Sequence, residues 1–338
     1  MLRVLTMMAV LGLPATVLAA PCTTPTSTCA EWISLGSGHA RSLVYRSYPL
    51  EGRNDRIRRA LIIVHGSDRD AGAYFQIGMA AARLAGALND TIVISPRFAS
   101  RDGLTCRDTL AAEEVNWPCE GNSWRSGGNA GGTTLTSFDL ADEILRKAAT
   151  KTVFPNLRVV VVAGHSAGGQ LVTRYEMANH VHDTLGVQLR YVVASPSSYA
   201  YPESTRPDIT KGAKGKMQFR PFEERSCASY NRWPYGLDDR HGYTEKANAA
   251  ELKQQLAARP TTYLLGERDV LPLDGFDASC AAMAQGPTRL VRGRAFAAYV
   301  NQRLGAHHVV MVVPDCGHDA RCMFTADSAW PVLFPAVR

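Results

Sequence analysis

Residues Val159 to Gly169 read Val-Val-Val-Val-Ala-Gly-His-Ser-Ala-Gly-Gly, and no other stretch restricts the possible folds as far. Four consecutive β-branched residues predict a strand buried on both faces. Gln170 to His180 then has the pattern of a helix, so the order is strand, Gly-x-Ser-x-Gly turn, helix. Passing from strand to helix within a few residues leaves no room for a Cβ at Gly164 or Gly168. Such a turn holds Ser166 in a strained conformation with its hydroxyl above the sheet. The Ala167 N–H, at the start of the helix, is placed to donate to an oxyanion. In a chain with 28 glycines the motif alone can arise by chance, and its setting is what gives it weight.

The same alternation runs through the chain. Strands are predicted at Leu43 to Tyr48, Ala60 to Val64, Thr91 to Ser95, Leu157 to Ala163, Leu189 to Ser195, Thr261 to Gly266 and His308 to Val313. Helices are predicted at about Ala73 to Leu88, Phe138 to Ala149 and Thr244 to Arg259, with one more inside Gly286 to Leu304. Thr136, three residues before Asp139, forms a capping-box pattern. The fold class is therefore α/β: a mostly parallel, twisted sheet covered by helices on both faces. Two stretches, about 97–135 and 197–243, break the rhythm and read as aromatic-rich loop insertions. Together they are expected to wall an apolar substrate cleft, with Trp124, Tyr199 and Trp233 as candidate substrate contacts, although any single ring, such as Trp124, reads rather as sealing the domain's own surface.

The first residues carry one charge, Arg3, followed by an apolar run from Val4 to Ala20 broken by Gly12 and Pro14. This reads as a secretory signal peptide over residues 1–20, cleaved near Ala19 or Ala20. A single catalytic domain over residues 21–338 would then be secreted or periplasmic. No later segment is long and apolar enough to span a membrane. All eight cysteines lie in the mature part, and an even number in an exported chain reads as disulfides. Joining near neighbours pairs Cys22 with Cys29, Cys106 with Cys119, Cys227 with Cys280 and Cys316 with Cys322. No Cys-x-x-Cys or His-x-x-x-His spacing supports a zinc site. The formal charge is +6, with arginines crowded at Arg53 to Arg59. No interleaving of basic and aromatic residues accompanies it, so a nucleic-acid partner is discounted.

A serine hydroxyl needs a base, usually a histidine held by a carboxylate. In a sheet of this kind the acid follows a later strand and the histidine follows the last one. Asp269 occupies the first place, after Thr261 to Gly266, ahead of Glu267, Asp274 and Asp277. His318 occupies the second, in Pro-Asp-Cys-Gly-His, bracketed by Cys316 and Cys322. His307 and His308 precede the last strand at its other end, and His165 sits inside the serine turn. After the strand ending at Val64, His65-Gly66-Ser67-Asp68 offers the Ser67 N–H as a second oxyanion donor. Asp68 and Arg69 are candidates for the site lining, and Asp68 equally for a helix cap.

With these motifs, from His65-Gly66 through Gly164 to Gly168 and Asp269 to Gly317-His318, the chain resembles the α/β-hydrolases. It looks like the secreted serine esterases, lipases and polyester depolymerases among them. It carries His-Gly-Ser-Asp where one esterase branch has His-Gly-Gly-Gly. The resemblance implies hydrolysis of a carboxylic ester, small or polymeric, through an acyl-enzyme on Ser166, with no metal or organic cofactor. An acyltransferase, a peptidase on the same fold, and a binding protein without chemistry stay open at this point.

Overall fold

The structure is a computed structural model, and it describes residues 20–103, 106–209, 217–222, 225, 227–273 and 275–337. The expected signal peptide falls almost wholly outside these, as does Asp274. Among the described residues, ten strands and eight α-helices follow one another as β1 (Ala30–Ser34), β2 (Arg41–Arg46), β3 (Arg59–Val64), α1 (Ala71–Leu84), β4 (Thr91–Pro96), α2 (Ser137–Ala148), β5 (Val159–His165) and α3 (Ala167–Ala178). The second half runs β6 (Gln188–Ala194), β7 (Thr205–Pro207), β8 (Phe219–Pro221), α4 (Ala249–Ala258), β9 (Thr261–Gly266), α5 (Cys280–Met283), α6 (Arg289–Arg303), β10 (Val309–Val313), α7 (Ala320–Thr325) and α8 (Trp330–Leu333).

Eight strands form one sheet in the order β1-β2-β4-β3-β5-β6-β9-β10. β1 and β2 join antiparallel at one edge, and the pairs from β4 through β10 are parallel. Alternate residues of each central strand enter different cores, as covering both faces requires. Ile62, Val160 and Val162 pack with residues of α2, α3, α4 and α6 on one face. Leu61, Ile63, Val159 and Val161 pack with α1, α7 and α8 on the other. The expected α/β class and two-sided cover are therefore present.

Local chemistry moves several boundaries. The Asp70 side chain accepts from Ala73 N at 2.8 Å and starts α1, so the cap is Asp70 and not Asp68. Gly86 at φ 66° follows the end of the same helix, four residues before the expected stop. The expected Thr244 to Arg259 helix is divided. Gly242–Lys246 is a 3₁₀ turn, and Asn248 then caps α4 by accepting from Glu251 N. The Thr136–Asp139 capping box is complete. β1, β7, β8, α5, α7 and α8 have no counterpart in the sequence reading.

All four expected cysteine pairs are bonded. Cys106–Cys119 closes a loop within the first insertion, and Cys227–Cys280 ties the second insertion to the start of α5. The insertions themselves correct an expectation. Trp124 and Tyr199 are completely buried and Trp233 is 6 % exposed, so none of these rings walls an open cleft. Trp124 stacks on Phe98 with centroids 4.9 Å apart, Tyr199 stacks on Phe296 at 4.6 Å, and the Trp233 indole donates to Ser126 O at 3.0 Å. Segments with so little regular structure stay in place by burying their large rings, and these rings seal the domain beneath the loops.

Candidate active site

The serine turn has the geometry that its spacing predicts. Ser166 sits at φ 56°, ψ −117°, between β5 and α3, with its N–H bonded to Ala194 O at 3.0 Å. A left-handed φ is costly for a residue with a side chain and persists where its surroundings force it. A Cβ at Gly164 would lie 2.4 Å from the Gly168 carbonyl, and one at Gly168 would lie 2.3 Å from Val64 O. Gly169, absent from the motif, is equally constrained, because a Cβ there would meet Ala194 O at 2.8 Å. Ala167 opens α3, so its N–H is among those that a helix start leaves without an intrahelical partner.

Asp269 and His318 meet across the ends of β9 and β10. His318 Nδ1 is 2.8 Å from Asp269 Oδ2, and both side chains are buried. With Nδ1 donating to the carboxylate, Nε2 carries the lone pair, and it is buried without a hydrogen-bond partner. The residue before the serine, His165, lies against this imidazole, with the His165 and His318 ring centroids 4.5 Å apart. Gly266 lets the two loops meet: a Cβ on it would be 2.7 Å from both Cys316 O and Gly317 O. The Cys316–Cys322 bridge brackets His318.

The other candidates take structural places. His165 is buried, and its Nδ1 pairs with Tyr74 Oη at 3.1 Å. Burial first, and then the neighbouring His318 and Arg289, lower its pKa well below the ordinary value. His308, at the far end of β10, pairs with Tyr263 Oη at 2.9 Å. Glu267 accepts from Asp315 N, and Asp277 accepts from Tyr235 Oη at 2.8 Å.

On the β3 side, Phe98 N donates to His65 Nε2 at 3.2 Å, leaving Nδ1 to donate to Gly66 O at 2.9 Å. Burial holds the ring neutral, with its pKa down to about 4. Gly66 itself lies beside the serine, since a Cβ on it would be 3.8 Å from Ser166 Cβ. Ser67 and Asp68 are exposed, whereas Arg69 is buried at φ 58°. Arg69 donates to Phe98 O, Trp117 O and Pro118 O at 2.8 to 3.0 Å, pinning the first insertion to the Gly66–Ser67 strip.

The sequence reading did not include Arg289. It is fully buried in the first turn of α6, with Nη1 3.5 Å from Asp269 Oδ1 and Nε bonded to Ser197 Oγ at 2.9 Å. It supplies positive charge to the carboxylate oxygen that His318 leaves free. The only signal for it is an arginine at a helix start, which a chain with 37 basic residues does not single out. Among the described residues no group of three or more His, Cys, Asp or Glu could hold a metal ion, and no helix is long and apolar enough to cross a membrane.

The model of the alpha/beta hydrolase family matches residues 61–330, a span that includes Gly66, Ser166, Asp269, Arg289 and His318. The chain belongs to the alpha/beta hydrolase family. Two solved structures carry the fold likeness across most of the chain. One is LpqC, a poly(3-hydroxybutyrate) depolymerase from Bordetella parapertussis, with 22 % identity, 90 % of each chain covered and a TM-score of 0.60. The other is poly(aspartic acid) hydrolase-1 from Sphingomonas sp. KT-1, with 24 % identity, 87 % of this chain and 95 % of that one covered, and a TM-score of 0.59. No curated protein sequence matches the chain significantly. Within the family, this hydrolase has Ser166, Asp269 and His318 just beyond the carboxyl-terminal ends of β5, β9 and β10 of its parallel sheet.

Proposed function

We propose that this alpha/beta hydrolase cleaves carboxylic esters through an acyl-enzyme on Ser166. The observation that carries the reading is the His318–Asp269 bond of 2.8 Å beside a serine held at φ 56°. His318 Nε2 takes the Ser166 proton as Oγ attacks the ester carbonyl, a contact that tightens when substrate binds. Asp269 holds the ring in the tautomer that leaves Nε2 basic and offsets the imidazolium charge, with Arg289 setting the carboxylate from behind. Ala167 N–H and Ser67 N–H donate to the tetrahedral oxyanion. His318 then protonates the departing alcohol oxygen. Water attacks the acyl-enzyme as the same nitrogen takes its proton, and Ser166 regains a proton as the acid leaves.

Export through the residue 1–20 leader is part of the reading, and four disulfides support an oxidising destination. The test is Ser166→Ala, assayed on a nitrophenyl ester beside a nitroanilide amide. The expected result is ester turnover in the parent, with loss of several orders of magnitude in a variant that unfolds at the parental temperature. Parental turnover in Ser166→Ala refutes the mechanism, and a parent that cleaves the amide faster refutes the ester assignment.

A further inference from the structure

The two insertions turn Trp124, Tyr199 and Trp233 inward, and most of what they leave facing the site is polar. A cavity of about 370 Å³ opens there, lined by Arg125, Gln170, Arg174, Ser198, Tyr235 and Asp277 among others. It borders the catalytic strip on two sides. Gln170 lies one helical turn beyond Ser166 on α3, with its N–H bonded to Ser166 O at 3.0 Å. Gly275 is on the rim, where a Cβ would lie 3.5 Å from Ser67 Oγ.

The charges in this cavity are unequal. Arg174 is fully buried and satisfied, donating to Pro234 O, Arg125 O and Ser198 Oγ. Asp277 has donors on both oxygens, Tyr235 Oη on Oδ2 and Ser279 N on Oδ1. Arg125 is different. One Nη donates to Gln170 Oε1 at 2.9 Å, its Nε is buried with no partner, and no carboxylate lies within ion-pair distance among the described residues. A guanidinium presented this way, in a cavity with two arginines against one aspartate, is matched by a carboxylate ligand.

Direction follows from proton transfer. The leaving alcohol has to sit at His318, whereas the cavity adjoins Ser166 through Gln170, so the cavity takes the acyl end of the ester; neither Ser166 nor His318 itself lines it. Gln170 sits in the first turn of α3 and its N–H is bonded to the Ser166 carbonyl, so a short acyl chain on Ser166 reaches the Gln170–Arg125 pair. We propose that this cavity is an acyl-side subsite for a carboxylate, and that the preferred substrates are esters of short acids tipped by an anion. The proposal rests on the ester-hydrolase reading above.

The test compares monomethyl adipate with methyl hexanoate, a neutral ester of equal chain length, by pH-stat at pH 7.5. Expected is a kcat/KM ratio of at least about tenfold in favour of the anionic ester, as a charge-assisted hydrogen bond supplies. In Arg125→Met that ratio falls by about ten- to hundredfold. In Arg125→Lys, which keeps the charge and loses the fork, part of it remains. A parental ratio at or below one overturns the subsite and needs no variant. Adipate binding, measured calorimetrically on Ser166→Ala, reads the cavity without turnover. It is expected to weaken at least about tenfold when Arg125→Met is added. No adipate binding, or binding indifferent to Arg125, overturns the subsite even if both esters are cleaved. Adipate binding with no turnover of either ester refutes ester hydrolysis and leaves the subsite standing.

Discussion

Adding one methyl group to Gly266 should damage catalysis without touching Ser166, Asp269 or His318. A Cβ there would lie 2.7 Å from Cys316 O and Gly317 O, whereas ordinary contact begins at 3.4 Å, so the His318 loop must retreat by about 0.7 Å. Both obstructing atoms are backbone and cannot rotate away. Cys316 O also accepts from Arg268 N at 2.8 Å, so the retreat stretches a bond that joins the aspartate loop to the histidine loop. Misplacement of a reacting group by about 1 Å costs roughly hundredfold in rate. Gly266→Ala is therefore expected to lose about ten- to hundredfold in kcat on a nitrophenyl ester. Overpacking of this kind costs about 1–3 kcal/mol in stability, readable as a fall of several degrees in Tm. The control is Gly317→Ala, one residue from the histidine, where a Cβ meets nothing within 4 Å. Parental kcat in Gly266→Ala, or an equal loss in Gly317→Ala, refutes the argument that loop contact sets the His318 position.

Two other measurements probe the supports of the site. Replacing Cys316 and Cys322 together by serine is expected to lower stability by about 2 kcal/mol and to lower kcat, because the bridge closes a short loop around His318. Unchanged Tm and activity would show that the bridge does not brace the imidazole. His308, buried against Tyr263, has its pKa lowered by burial from 6.5 to about 4, so below pH 6.5 the unfolded chain takes up the proton first. Its neutral burial therefore stabilises the fold above pH 6.5, and up to about 3 kcal/mol of that is lost as the pH falls towards 4. Denaturant unfolding of His308→Asn should show a shallower loss of stability between pH 7 and pH 4.5. A slope equal to the parent's counts against it.

How much of the site is legible in the sequence depends on the range of the interaction that creates each part. The serine turn is local: Gly164 and Gly168 are required by atoms within a few residues or on the adjacent strand, and the strand–turn–helix pattern announces them. Asp269 and His318 are legible because parallel-sheet topology places catalytic groups at strand ends. The Thr136–Asp139 box and the Asn248 cap follow local rules, although Asn248 was hidden inside what reads as one continuous helix. The aromatic insertions were misjudged for the opposite reason. Trp124 and Tyr199 look like surface for a ligand when only loop composition is visible, and whether a ring faces outward or inward depends on what packs against it.

The amino-acid sequence by itself determined the α/β alternation, the strained serine and the identity of its two candidate partners, since each follows from short-range sterics or from strand order. Tertiary structure alone decided how those partners are held. It placed Arg289 behind Asp269, brought the Cys316–Cys322 loop against Gly266, and turned the rings inward so that Arg125 faces the cavity. These outcomes depend on side chains 20 to more than 100 residues apart in sequence meeting in a buried interior. There an unpaired charge or an open ring face is costly, and only the complete packing determines which group meets which.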